Sequence, residues 1–464
     1  MLPRLPALLR APARRTFTST ASQWRSAAAP QQPLLSSSSP DPATEGIALS
    51  KIERLMKLTD DLSRNGPGGQ LGSLRGSPSV GPLGHADEQP IKENLTPLPT
   101  TRRMKDSYVE LDLKFSECSQ LREQYVGGLS KVRMGRLMED FDSLAGQAAY
   151  KYVLPDGCSV SDAHHYGIYL VTAAVDRMDV LKPLSHFDGK TDLRLSGYVA
   201  YATESSLEVF VRLSTLPASG ESETILIGRF AMACRKYSGG KQPIAKLEVV
   251  GEAEEELWKM GKEMKEGKKT RSLKSLEKSP PNEAEAKMLH ELFVGQQDIF
   301  ERNAPTPSDV VWMSDTDVNS AQLMHPQESN VHGKIFGGYL MRLSYETAYS
   351  TACLFARTPV TFIALDELRF AQPVEIGSLL RLDSRVTYSP IKGEHKSFHV
   401  SVTASTTDLY TGEKKITNTF HYTFAAESTL QRHVLPRSYK QAMAWLDAQR
   451  RRELGVSVRK AYSS

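Results

Sequence analysis

Two stretches of this chain, 203 residues apart, carry the same helix. From Gly338 the sequence reads GYLMRLSYETA and from Gly135 it reads GRLMEDFDSLA, with Gly, Leu, Met and Ala at matching positions. A repeat of this length means that one structural unit occurs twice, so the 464 residues form two copies rather than one long domain. In the first copy Leu137, Met138, Phe141, Leu144, Ala145 and Ala148 fall within about 120° of one another around a helix, the apolar stripe of an element buried on one side. Asp142 lies at the edge of that stripe. An acid there is neither core nor freely solvated, which suits the seam between two units.

The correspondence continues downstream. FIALDEL (362–368) matches TAAVDRM (172–178) and pairs Asp366 with Asp176 at an offset of 190, so the first copy has a longer connection from helix to strand. Strand-like runs follow in both copies, at 192–201, 206–215 and 224–237 in the first and at 378–388, 397–406 and 413–424 in the second. Upstream, YVELDLKF (108–115) alternates apolar and charged residues as a half-buried strand does. Each copy therefore reads as strand, long helix, then several antiparallel strands, an α+β unit.

The richest stretch is 325–346, HPQESNVHGKIFGGYLMRLSYE, in which a polar loop and closely spaced glycines precede a helix expected to start near Tyr339. Glycines such as Gly337 and Gly338 let the backbone approach a ligand closely, and the unpaired N–H groups of a first helical turn suit an acyl oxygen or a phosphate. The same glycines would also serve close packing of the helix on a sheet. Eight residues before Gly338 stands Asn330; eight before Gly135 stands Gly127. Seven residues after Gly135 stands Asp142; seven after Gly338 stands Tyr345, followed by Glu346. Each copy has kept a different half of a polar pair.

The segments NxxGxIFGGxLMRxxYE (330–346), GRLMEDFDSLA and LRFxxPVEIGSLL (368–380) resemble those of the mitochondrial double-hotdog acyl-CoA thioesterases, collinearly over roughly residues 100–450. The resemblance implies a tandem (double) hotdog, each unit a long helix wrapped by a curved antiparallel sheet, with the two helices facing each other. It implies hydrolysis of acyl-CoA without a cofactor, and a homo-oligomer, either a trimer of double hotdogs or something smaller. In relatives the functional pair resembles an asparagine before the glycine run of one unit and an aspartate in the helix of its mate. Carried over by position, these are Asn330 and Asp142, in the reverse chain order to some relatives. Asp142 would be the general base or, as the less favoured role, a nucleophile; Asn330 would orient water or thioester; N–H groups near Gly337 and Gly338 would form the oxyanion hole. The mirror position, Gly127 with Tyr345 and Glu346, would be inactive. Taken singly, Asp142 is an ordinary acid early in a helix and Asn330 an ordinary turn residue. Their complementary retention favours the site.

Composition limits the alternatives. Residues 1–45 hold five Arg and no acid before Asp41, the pattern of a mitochondrial presequence and hence of a matrix protein. Without them the formal charge falls from +4 to near +1, which argues against a nucleic-acid surface but allows a local coenzyme A pocket. Lys334, Arg357, Lys392 and Lys396 are loop or helix-end candidates for it. Cys118, Cys158, Cys234 and Cys353 show neither zinc spacing nor a disulfide framework, and Cys234 and Cys353 read as core. No apolar run is long enough to span a membrane, and no GxSxG elbow is present. The expected divisions are a presequence (1–45), a flexible arm (46–103), hotdog units at 104–240 and 306–430 around a charged helical linker (251–305), and a C-terminal helix and tail (431–464). Two other functions fit the same architecture: a non-catalytic acyl-CoA-binding protein, and an enoyl-CoA hydratase using His332, which lacks a matching acid in its own unit.

Overall fold

The computed structural model describes residues 95–463 except 129–131, 183–190, 218–221, 274, 297–304, 331–332 and 392–395. The expected presequence and residues 46–94 of the expected arm lie outside the described residues.

The first copy runs β1 (Val109–Leu113), α1 (Met134–Val153), β2 (Ile168–Val180), β3 (Leu193–Ala202), β4 (Ser206–Thr215) and β5 (Thr224–Lys236). Helices α2 (Glu252–Leu273) and α3 (Glu283–Val294) follow. The second copy runs β6 (Val318–Leu323), α4 (Gly337–Ala356), β7 (Val360–Leu365), β8 (Leu368–Arg369), β9 (Leu379–Tyr388), β10 (Ser397–Thr407) and β11 (Lys414–Ala426), and α5 (Tyr439–Ser463) closes the chain. The helix expected near Tyr339 starts two residues earlier, at Gly337, because the glycines themselves form its first turn. Helix α5 runs beyond the 438–454 read from the sequence: Gly455 alone costs about 1 kcal/mol, too little to end a helix that has no other breaker there.

One sheet holds both copies, in the order β1-β3-β4-β5-β2-β7-β11-β10-β9-β6, with β8 added onto β2. Read from its centre the order is the same in both directions, so the copies are related by a two-fold axis between β2 and β7. The register locates that axis. Ala364 pairs with Asp179 and Leu365 with Met178; Arg369 pairs with Ala174 and Leu368 with Val175. The offset of 190 exchanges the two sets.

Helix α1 packs on β3 and β4, and α4 on β9 and β10. The whole stripe read from the sequence, Leu137 through Ala148, is sealed from solvent. Burying each large side chain in it contributes about 1.5–3 kcal/mol. The two helices also cross each other at their glycines. A Cβ on Gly135 would meet Arg342 at 3.1 Å, and one on Gly338 would meet the Glu139 backbone at 3.0 Å.

The repeat reaches further than the helix and the strands. Trp258 of α2 packs on Tyr201 of β3 with ring centroids 5.9 Å apart, and Trp445 of α5 packs on Tyr388 of β9 at 4.9 Å. Lys265 lies over the Tyr201 ring as Arg452 lies over Tyr388. Glu254 accepts the N–H of Val250, as Gln441 accepts that of Arg437. All three correspondences keep an offset of 187, so α2 and α5 are equivalent helices, one for each copy. The ends of the copies match as well: Thr101–Arg103 pairs in parallel with Lys246–Glu248, and Val310–Trp312 with His433–Leu435. Thus 101–103 is a strand within the stretch read as arm.

Candidate active site

Asp142 sits in the third turn of α1, 2% exposed, where that helix meets the start of α4. Thr172 of β2 donates its hydroxyl to Oδ1 at 2.7 Å. The backbone N–H of Gly338 donates to the same carboxylate. The acid of one copy therefore lies at the positive end of the other copy's helix, where a negative charge is stabilised.

The glycines make this approach feasible. A Cβ on Gly337 would lie 3.0 Å from Asp142 Oδ2, and one on Gly338 would be pressed between the Phe336 ring at 2.6 Å and the Glu139 backbone. Burial nevertheless dominates the charge balance. It pushes the Asp142 carboxyl up to about 6 against the lowering effect of the Thr172 and Gly338 hydrogen bonds, with a further small rise from Glu139. Such a carboxylate is ionised at neutral pH and basic enough to take a proton.

Known proteins with related sequences are named as acyl-coenzyme A thioesterases or thioester hydrolases. The chain is 35% identical over 355 residues to the human mitochondrial acyl-coenzyme A thioesterase 9, covering 75% of this chain and 77% of that one. It is 34% identical to the mouse protein over 75% and 78% of the two chains. This chain belongs to the acyl-coenzyme A thioesterases. A chloroplastic acyl-coenzyme A thioesterase 2 of hop, Humulus lupulus, is 30% identical over 78% of this chain and 82% of its own. No family model matches. Among solved structures, an acyl-CoA hydrolase of Staphylococcus aureus in complex with butyryl coenzyme A aligns at 24% identity and TM-score 0.29, over 31% of this chain and 88% of that chain. An apo-hexameric acyl-CoA thioesterase aligns at 24% identity and TM-score 0.30, over 32% and 96%.

In this thioesterase, Asp142, Gly337 and Gly338 come together as the repeat suggests, whereas Asn330 is held within its own loop. Its N–H donates to Lys334 O at 2.7 Å, its Oδ1 accepts from Lys334 N–H at 3.2 Å, and its side chain is half-buried. The equivalent loop of the first copy has the same frame. Val126 bridges Val132 as Ser329 bridges Ile335, and Arg133 N–H reaches Tyr125 O as Phe336 N–H reaches Glu328 O. Gly127 and Asn330 thus occupy equivalent places. The Gly338 N–H, expected to face an oxyanion, is directed at Asp142 instead.

The mirror position is apolar and closed. Where Asp142 meets Thr172, the same offsets place Tyr345 against Phe362, with ring centroids 5.5 Å apart and edge to face. Tyr422 and Phe424 complete that aromatic cluster. Glu346 is held away from it, receiving Nε and Nη2 of Arg133 at 2.9 and 2.7 Å. Thr172 was not singled out from the sequence, although its segment was. The signal was available: copy one keeps Asp142 with Thr172, while copy two has aromatic residues at both positions.

The coenzyme A candidates divide. Lys334 pairs with Glu375 at 2.5 Å, Lys396 donates to Glu427 O, Arg357 caps α4 in the left-handed region, and Lys392 lies outside the described residues, as does His332. Cys234 is buried, whereas Cys353 is only partly so. Among the described residues, no helix is long and apolar enough to cross a membrane.

Proposed function

We propose that this acyl-CoA thioesterase has a single composite site at the crossing of α1 and α4, with Asp142 as its base. Acyl-CoA and water are converted to a free fatty acid and coenzyme A. Asp142 removes a proton from water as the oxygen attacks the thioester carbonyl carbon. The negative charge that develops on the carbonyl oxygen is met by the first N–H of α4, that of Gly337, while Asn330 in the preceding loop orients the water or the thioester. Collapse of the tetrahedral intermediate breaks the C–S bond, and the proton held by Asp142 passes to the leaving thiolate. Thr172 keeps the carboxylate oriented throughout.

The observation that carries this reading is the Asp142 carboxylate itself: buried, held by Thr172 and Gly338, and shifted toward neutrality. The symmetry of sheet and helices supports a tandem hotdog as its frame. Relatives named as mitochondrial and the Arg-bearing, acid-poor N-terminus support a mitochondrial protein of the matrix. The motifs shared with the double-hotdog thioesterases support a homo-oligomer.

The test is release of free coenzyme A from a panel of acyl-CoAs by the wild type, Asp142→Asn, Asn330→Ala and Glu346→Gln. Loss of a general base lowers the rate by about 10²–10⁴-fold, and that is the expected result for Asp142→Asn. Asn330→Ala should be strongly impaired and Glu346→Gln unimpaired. Wild-type rates in the first two variants would refute the assignment; absence of release by the wild type would favour acyl-CoA binding without catalysis.

A further inference from the structure

One aromatic ring stands beside the Asp142 carboxylate without a part in the chemistry above. The point where a Cβ of Gly337 would lie is 3.0 Å from Asp142 Oδ2 and 3.2 Å from Phe370 Cζ. Ring and carboxylate therefore both lie against Gly337, within about 6 Å of each other. Phe370 belongs to the second copy, whereas Asp142 and Thr172 belong to the first.

The ring's anchorage is firm. Leu368 and Arg369 pair with β2, the Phe370 N–H donates to Ala173 O at 3.1 Å next to Thr172, and Asn418 Nδ2 donates to Arg369 O at 3.1 Å. The backbone under Phe370 is thereby tied to the strand that holds the base, and the side chain can turn only about its own bonds. The ring itself is only partly buried, while Asp142 behind it is 2% exposed. The Phe336 ring lies against Gly338, the residue whose N–H bonds Asp142. A thioester carbonyl that reaches Asp142 past Gly337 would lie beside the Phe370 ring.

We propose that Phe370 is a specificity-determining residue that limits bulk on the acyl carbon next to the thioester carbonyl. The inference rests on Asp142 being the base. A straight chain presents a slim CH₂ group at that carbon and lies along the ring face, whereas a methyl branch there occupies the space of the ring edge. Selection at this point concerns branching near the carbonyl. Total chain length is decided farther from Asp142.

The experiment measures kcat/KM for straight acyl-CoAs of three lengths and for their 2-methyl counterparts, using the full chain and its Phe370→Ala, Phe370→Leu and Phe370→Trp variants. One methylene in a shaped pocket is worth about 10–200-fold, so the wild type should prefer the straight chain by roughly tenfold or more at every length. Phe370→Ala should narrow that ratio, Phe370→Leu should narrow it less, and Phe370→Trp should widen it. Phe370→Leu keeps an apolar side chain and preserves the test if the alanine variant fails to fold. A wild type that accepts both series equally overturns the proposal, as does an equal loss for both series in the Ala and Leu variants. An Asp142→Asn variant without activity, together with an unchanged ratio in Phe370→Ala, would overturn this inference and leave the base in place. A fully active Asp142→Asn would remove the base itself.

Discussion

Glu139 and Arg342 stand at equivalent positions of the two long helices, 203 residues apart, and join each other across the two-fold axis by a 2.8 Å ion pair. Identical residues at these two positions would meet like with like; an acid in one copy and a base in the other make the contact attractive. Arg136 adds a second bond to the same Glu139 oxygen at 2.6 Å, so the acid serves two cations, while among the described residues Arg342 pairs with one acid. The pair is partly withdrawn from solvent, and removing Glu139 takes the acid from both arginines whereas removing Arg342 leaves Glu139 with Arg136. Glu139→Gln should therefore destabilise by about 2–3 kcal/mol, more than Arg342→Gln, and a double-mutant cycle followed by denaturant unfolding should give a coupling of about 1 kcal/mol or more.

The acid limb of the pH–rate profile should lie near pH 6. Asp142 must be ionised to accept a proton, and burial pushes its carboxyl up to about 6, so kcat/KM should fall about tenfold for each further step of one in pH well below that value. The Thr172 hydrogen bond favours the charged form. Thr172→Val removes it and should move the limb to higher pH, as well as lowering the plateau. A limb that stays in place or moves to lower pH would show that Thr172 does not bond the ionised carboxylate.

The raised Asp142 carboxyl also predicts a gain of stability when its charge is removed. The folded-state value lies above the ordinary 3.8, so the folded protein holds this proton more tightly than the unfolded chain does. The associated stability is present below the unfolded value and is lost as pH rises through about 6. At pH 8 the buried charge costs about 3 kcal/mol, because each tenfold difference in proton affinity between folded and unfolded chain corresponds to about 1.4 kcal/mol. Asp142→Asn should raise the melting temperature at pH 8 while strongly lowering the rate of hydrolysis, and the gain should disappear toward pH 4. Equal melting temperatures at pH 8 would argue against a costly buried charge.

The two crossing glycines should respond differently to alanine. At Gly338 the added methyl meets the Glu139 backbone at 3.0 Å and the Phe336 ring closer still, and overpacking of this kind costs about 1–3 kcal/mol. At Gly135 the added methyl meets Arg342 Cγ at 3.1 Å and the Arg342 carbonyl and Tyr345 ring at 3.3 Å, a looser fit than at Gly338, and the better helix propensity of Ala returns up to about 1 kcal/mol. Chemical denaturation should find Gly338→Ala clearly destabilised and Gly135→Ala destabilised less. Activity should fall with Gly338→Ala, because its N–H positions Asp142.

The duplicated unit, its long helix, the buried stripe of α1 and the split of Asp142 from Asn330 are all legible in the sequence, because helical and strand periodicities are local. The offset of 190 drawn from FIALDEL and TAAVDRM is the same one that the register between β2 and β7 obeys. Tertiary structure decided the rest. It made α2 and α5 equivalent helices although they share little beyond a Trp that packs on a Tyr and a cation over the same ring, since helix packing on a sheet constrains one face and leaves the others free. It also joined Thr172 to Asp142 and Phe362 to Tyr345 in the same geometric relation. A hydrogen bond and an edge-to-face aromatic contact can each hold that one backbone arrangement, so the two copies kept the geometry while their side chains diverged in chemistry.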